Sequence, residues 1–219
     1  MVHRWKGRRM RYNYIAIEGN IGAGKTCLST MISEQYNGKL ILEQFEDNSF
    51  LPKFYKEPEK YAFPLEMSFL AERYQQLKDQ LTKQDLFKTF TISDYLFNKS
   101  LIFSRNNLQP DEYALFARMF NIINEFLPKP ELLVYLYLDV ANLQRNIRSR
   151  GRSYEQEIED SYLENIQNGY FDHIKKLSGQ RVLILDTNNI DFVNNPADYE
   201  AILDLVNQDY APGIHRFSL

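Results

Sequence analysis

The stretch Gly19-Asn20-Ile21-Gly22-Ala23-Gly24-Lys25-Thr26 constrains this chain more than any other. It spells G-x-x-x-x-G-K-[ST], and it lies between an apolar run and a helical period. Before it, Tyr14-Ile15-Ala16-Ile17 reads as a buried strand. After it, Leu28, Met31 and Ile32 form one stripe of a helix from Lys25 to Tyr36 that Asn37-Gly38 would stop. The glycines let the backbone curl with its N–H groups inward, a nest at a helix N-terminus that holds polyphosphate. Lys25 would supply a positive charge to the terminal phosphates, and the Thr26 hydroxyl could ligate Mg²⁺. By average composition a chance match in 219 residues is on the order of one in a hundred. All eight residues, Gly19 to Thr26, are therefore expected to bind a nucleoside triphosphate. Cys27, just inside the helix, is most simply a packed thiol.

Downstream, short apolar runs alternate with helical periods. Leu40-Ile41-Leu42, Thr89-Phe90-Thr91-Ile92, Leu132 to Leu138 and Val182 to Leu185 read as strands. Helices are expected over 65–83, 111–127, 159–177 and 197–207, with a basic helix and loop carrying Arg145, Arg148, Arg150 and Arg152. A polar and aromatic stretch with Pro52, Pro58 and Pro64 is expected to lead into the first of these helices. Strands alternating with helices, several of them apolar throughout, predict a parallel sheet covered on both faces. Counting the run before the glycine loop, the sheet is expected to have five strands. Glu43, Asp94, Asp139 and Asp186 each stand at or beside a strand's carboxyl end, where open α/β sheets bind ligands. Acids there also cap the next helix, the role expected for Asp139 and Asp186.

Composition removes several alternatives. A net charge of −3 gives no reason to expect a nucleic-acid binder. One cysteine cannot close an internal disulfide, and His3, His173 and His215 lack metal-ligand spacing. No apolar run approaches the roughly 20 residues of a membrane span, so a cytoplasmic protein without membrane contact is expected. Met1 to Tyr12 holds five basic residues and no acid, and no apolar signal core follows. Residues 1–11 are expected to be a basic tail, or an extension ahead of Met10 as the start, with a phosphate-attracting arm as the other reading. Residues 12–219 are expected to form a single domain.

A phosphate loop alone does not separate a kinase from a GTPase or a motor. An N-K-x-D base-reading motif is missing, since Asn98-Lys99 is followed by Ser100-Leu101. Glu43 offers a rigidly held carboxylate at a strand end, suited to accept a proton from an attacking hydroxyl. Arg150-Gly151-Arg152-Ser153-Tyr154-Glu155-Gln156 sets two arginines on a segment able to fold over phosphates. Together with Phe54-Tyr55-Lys56-Glu57-Pro58, these residues make the chain resemble the deoxynucleoside kinase family over nearly all of Tyr12 to Leu205, specifically its bacterial deoxyadenosine/deoxyguanosine kinase type.

The resemblance implies a P-loop kinase fold, three-layer α/β/α with a helical lid at about 145–157, and a homodimer. The aromatic stripe of Asp111 to Leu127 would serve either the dimer contact or the chain's own core. It implies ATP with Mg²⁺ as phosphate donor and a small deoxynucleoside as acceptor. Glu43 would take the proton from the 5′-hydroxyl, Tyr55 and Glu155 would meet the 3′-hydroxyl, and Arg150 and Arg152 would balance phosphate charge. Asp94 and Thr26 would hold Mg²⁺, and Phe103 would stack under the base or pack in the core.

Two departures from the family pattern carry consequences. Where the family reads the base with glutamine, this chain has Glu66. An ionised carboxylate only accepts, which matches guanine's adjacent N1–H and N2–H donors and favours purines, deoxyguanosine above all. The alternative is that Arg73 or Arg105 neutralises Glu66. The family's D/E-R-S is here Ser93-Asp94-Tyr95-Leu96, without the arginine, and Lys99 is the expected substitute charge. The expected activity is ATP-dependent 5′-phosphorylation of a deoxynucleoside in nucleotide salvage, with a thymidylate-type nucleoside monophosphate kinase as the alternative.

Overall fold

In the computed structural model, which describes residues 9–44, 48–83 and 85–219, every strand is parallel and the phosphate loop leaves the sheet near its middle. The elements run β1 (Tyr14–Gly19), α1 (Lys25–Tyr36), β2 (Lys39–Ile41), α2 (Leu51–Lys56), α3 (Pro58–Thr82), β3 (Thr91–Ser93), α4 (Lys99–Asn107) and α5 (Pro110–Asn124). There follow β4 (Leu132–Tyr137), α6 (Val140–Arg150), a 3-10 turn (Ser153–Glu155), α7 (Asp160–Ile174), β5 (Arg181–Asp186), α8 (Pro196–Val206) and β6 (Gly213–Ser218).

The sheet order is β2-β3-β1-β4-β5-β6. Strand β1 pairs with β3 on one side and β4 on the other, so connections leaving its carboxyl end diverge and open a crevice there. Strand periodicity sorts the helices. Ile15, Ile17, Val134 and Leu136 face one way, packing with Leu28 and Ile32 of α1, Leu143 and Ile147 of α6, and Ile202 and Val206 of α8. Ala16, Leu133 and Tyr135 face the other way, against Ile102 of α4 and Ile166, Tyr170 and Ile174 of α7. A further apolar cluster joins α2, α3 and α5 through Phe54, Leu70, Leu77, Phe116 and Phe120. This is the expected three-layer α/β/α arrangement.

Among the described residues the sheet has six strands, not the expected five. The sixth, Gly-Ile-His-Arg-Phe-Ser, is an edge strand whose side chains alternate between half-buried and exposed. It is fixed by its ladder to β5, with Arg181 opposite Gly213 and Asp186 opposite Ser218, and not by an apolar run. The proline-bearing segment is helical. Pro52 and Pro58 sit in the first turns of α2 and α3, where the missing N–H has no intrahelical partner to lose. Pro64 lies inside α3, which carries on because Ala62, Leu65, Leu70 and Leu77 bury one face along its length. Helix α4 also escaped the apolar pattern, because its buried face is largely polar: Lys99, Ser100 and Ser104 beside Ile102.

At the amino end, Met1 to Arg8 lie outside the described residues. The packed body includes residues ahead of Tyr12. Met10 is buried in the core, and Arg11 donates its backbone N–H to Asn207 at 2.8 Å and pairs with Asp209 at 3.3 Å. Asp139 caps α6 by accepting from the Asn142 N–H at 2.8 Å. No helix follows Asp186 directly, and its Oδ1 instead braces the loop by accepting from both nitrogens of Asn188.

On α5 the aromatic stripe serves the chain's own core: Phe116 and Phe120 are buried while Leu115, Ile122 and Phe126 are exposed. Phe116→Ala is expected to cost about 3–5 kcal/mol in urea-induced unfolding. Leu115→Ala, on the opposite face, is expected to stay within about 0.5 kcal/mol of the parent.

Candidate active site

A cavity of about 560 Å³ opens at the carboxyl ends of β1 and β3, between the phosphate loop, α3, α4 and the segment after α6. It is lined by Lys25, Thr26, Glu43, Tyr55, Glu66, Asp94, Lys99, Phe103, Arg150, Arg152 and Glu155, so residues spread over much of the chain converge.

The loop has the curled backbone that its glycines allow. Gly22 and Gly24 have φ of +85° and +86°. A Cβ at Gly22 would meet the Leu143 carbonyl at 2.8 Å, and one at Gly24 would meet the Phe192 ring at 2.9 Å. Both demands, left-handed backbone and close approach, exclude a side chain. Lys25 Nζ donates to the Asn20 carbonyl at 2.8 Å. Burial, and then Lys99 nearby, hold the Lys25 ammonium down at about 8.

Asp94 joins the loop to the next strand end. Its Oδ2 accepts from the Thr26 hydroxyl at 2.6 Å, and its Oδ1 accepts from the Glu43 backbone N–H at 2.7 Å. Hard oxygen donors brought together at the head of α1 suit Mg²⁺, which is held by one or two protein oxygens with water and phosphate. Thr26 and Asp94 therefore fit the expected ion.

Glu43 is held by two cations. Arg73 grips its Oε1 through Nε at 2.9 Å and Nη2 at 2.7 Å, and Lys99 Nζ donates to Oε2 at 2.5 Å. Burial alone would raise this carboxyl, but Lys99 and Arg73 outweigh it and hold the group down at about 2. Lys99 thus reaches Glu43 from the head of α4. Arg73 was foreseen only as a possible partner of Glu66. Its position two helical turns beyond Glu66, on the same face of α3, was the available signal.

That fork leaves Glu66 without a cationic partner. Its Oε1 accepts from Asn107 Nδ2 at 2.7 Å, its Oε2 is buried with no hydrogen-bond partner, and Arg105 is exposed. Neither arginine named against it pairs with it. Phe103 is half-buried, with Lys99 Nζ 5.4 Å from its ring centroid, and it also packs edge-on against Tyr170. It therefore borders both the cavity and the core.

The lid closes on itself. Glu155 is buried and takes Arg150 on Oε2 and Arg152 on Oε1. Tyr154 stacks on Tyr55 at 6.0 Å with planes 22° apart, joining the lid to α2. Glu18, in β1, was not expected at all. It accepts from the Leu96 N–H at 2.6 Å and the Tyr170 hydroxyl at 2.8 Å, and so fastens the segment after β3 to the sheet. A glutamate within an apolar strand is a signal, though not of which partner it will meet.

Arg73→Met is expected to lower stability by about 3–5 kcal/mol, because it breaks a buried pair and leaves Glu43 with one cation. In the parent, Glu43 has a depressed carboxyl, so its contribution is present above about 4.5 and lost as pH falls toward about 2. Unfolding titrations between pH 3 and pH 7 should show this acid-side loss diminished in the variant.

Comparison with known proteins follows the same lines. The model of the deoxynucleoside kinase family matches residues 15–210. A deoxyguanosine kinase of Bacillus subtilis is 39% identical over 195 residues, covering 86% of this chain and 93% of the relative. A deoxyguanosine kinase of Lactobacillus acidophilus is 30% identical over 207 residues, covering 88% of each. A solved deoxyadenosine kinase from M. mycoides, with the products dCMP and dCDP bound, superposes with a TM-score of 0.76 at 26% identity. That superposition covers 89% of this chain and 98% of the other. A match along almost the whole length, joined to a glycine loop facing an anchored carboxylate, makes this chain a member of the deoxynucleoside kinase family.

Proposed function

We propose that the protein transfers the terminal phosphoryl group of ATP to the 5′-hydroxyl of a deoxynucleoside, with deoxyguanosine as preferred acceptor. One observation carries this reading: the Glu43 carboxylate, anchored by two cations, shares a cavity with Lys25 and Thr26 of the phosphate loop. Phosphate oxygens would take the inward N–H groups of the nest, and Lys25 would exchange the Asn20 carbonyl for them. Mg²⁺, held by Thr26 and Asp94, would supply charge neutralisation between the phosphates. Tyr55 and Glu155 would receive the sugar's 3′-hydroxyl. Glu155 would then share its two arginines with the phosphates, where transition-state charge gathers.

A carboxylate held at about 2 is a weak base. In a loose transition state the attacking hydroxyl becomes acidic only as its bond to phosphorus forms. Orientation by Glu43 therefore counts for more than basicity, and the proton passes late. Fixing Glu43 from both sides serves that orientation.

The guanine preference rests on Glu66 as an acceptor and on the two relatives named deoxyguanosine kinase. A monophosphate acceptor, as in a thymidylate-type kinase, would need a cation free to meet its phosphate. Arg73 and Lys99, the cations at that end, are both committed to Glu43. The homodimer implied by the family would cover the exposed Leu115, Ile122 and Phe126.

Glu43→Gln is expected to keep ATP binding by calorimetry while turnover of deoxyguanosine falls by about 10²–10⁴. Unimpaired turnover would remove Glu43 from the mechanism. For the free enzyme, kcat/KM for ATP is expected to fall as pH rises through about 8, where Lys25 loses its proton. Lys25→Arg should abolish that alkaline limb, whatever its effect on the maximal rate.

A further inference from the structure

The phosphoryl-transfer residues leave one buried carboxyl of the cavity unused. Glu66 comes off the buried face of α3, only 2% exposed, and lines the cavity with Phe103, Asn107 and Tyr162. Its Oε1 accepts from Asn107 Nδ2, while Oε2 has no partner. Arg73, the buried cation on the same helix, has all its nitrogens engaged elsewhere, Nε and Nη2 on Glu43 and Nη1 on the Ser100 hydroxyl at 2.8 Å. An unpaired buried oxygen is costly, and a ligand edge that completes its hydrogen bonding recovers the cost.

Asn107 decides what that edge must be. Its N–H needs a lone pair, and a carbonyl oxygen accepts better than an acid's hydroxyl oxygen. When Glu66 is neutral, its proton therefore sits on Oε2, beside an accepting Oε1. When it is ionised, both oxygens accept. Guanine-type bases present two adjacent donors, N1–H and N2–H. Adenine-type bases present the acceptor N1 beside a donor N6–H. Each protonation state thus complements one purine and leaves the other with a mismatched buried pair.

We propose that Glu66, positioned by Asn107, selects the base through its protonation state: ionised it receives a guanine-type edge, neutral it receives an adenine-type edge. The proposal rests on the deoxynucleoside reading above and specifies how its base is chosen. Burial pushes the Glu66 carboxyl up to about 7, against the lowering effects of Arg73, the Asn107 hydrogen bond and Lys99. Around it stand Arg73 on its own helix, Lys99 on α4, Glu43 after β2, which raises it, and Tyr162 on α7. Burial pushes the Tyr162 hydroxyl further up, away from neutrality. Glu72 and the lid group of Glu155 with its two arginines line the same cavity.

The test is kcat/KM of the full chain with ATP-Mg²⁺ for deoxyguanosine and for deoxyadenosine between pH 6 and pH 8.5. Effects of Lys25, Glu43 and the lid act on both substrates and cancel in the ratio. The deoxyguanosine-to-deoxyadenosine ratio is expected to rise by about tenfold per pH unit. Glu66→Gln, whose amide presents one donor and one acceptor at every pH, should flatten the ratio and lower it at pH 8. Asn107→Leu removes a bond that favours the ionised form, so the pH at which the two substrates react equally should move upward. Asn107→Ser serves the same purpose if the leucine variant does not fold. A ratio independent of pH in the parent would overturn the proposal while leaving the kinase reading intact. So would a slope that survives Glu66→Gln. Failure to phosphorylate any deoxynucleoside at any pH would overturn both.

Discussion

Two cations closing on one carboxylate organise this active site. Glu43 leaves the end of β2, Arg73 comes from the middle of α3 and Lys99 from the head of α4, and all three are buried or nearly so. A carboxylate taken out of water is costly unless opposite charge and hydrogen bonds replace its hydration. Here the replacement comes from two separate elements, so the site forms only when α3 and α4 have docked against the sheet. Losing either cation would leave buried charge, so this arrangement matters more to stability than a surface pair would.

The sheet supplies the remaining geometry. Because β1 lies between β3 and β4, its glycine loop opens beside the end of β3, and Asp94 can touch Thr26 on one side and the Glu43 backbone on the other. The glycine loop and the Glu43 side of the cavity are thereby linked through a single carboxylate. The lid is a different kind of element. Glu155 satisfies Arg150 and Arg152 from within a short turn, Tyr154 stacks on Tyr55, and Asn146 Nδ2 donates to the Gly22 carbonyl of the glycine loop. Arginines already balanced by an adjacent acid can be transferred to phosphate without crossing a state in which they are unpaired.

The base-reading role proposed for Glu66 depends on the same economy of charge. With the Arg73 fork spent on Glu43, Glu66 is left to a neutral amide, and its environment is apolar enough to raise it to about 7. The two glutamates lie in one cavity yet are driven in opposite directions, one by cations and the other by burial. A pair of carboxyls pushed apart in this way can divide the labour of orienting an alcohol and reading a base.

Much of this was legible in the chain itself. The glycine loop, the central strands β1, β4 and β5 and the amphipathic helices α1, α5 and α7 follow from short-range patterns, since alternation, helical stripes and a glycine turn involve neighbours within a few residues. Asp139 as a cap belongs with them. What escaped were elements whose reason lies elsewhere in the fold. Strand β6 exists because β5 offers an unpaired edge, α4 buries polar residues because a polar cavity faces it, and Glu18 is stable because Leu96 and Tyr170 come to it. The sequence by itself determined that this chain folds around a phosphate-binding loop on a parallel sheet. Only the tertiary structure decided that Arg73 belongs to Glu43 and Asn107 to Glu66, across 30 and 41 residues, because a choice between competing partners is made by packing and not by spacing.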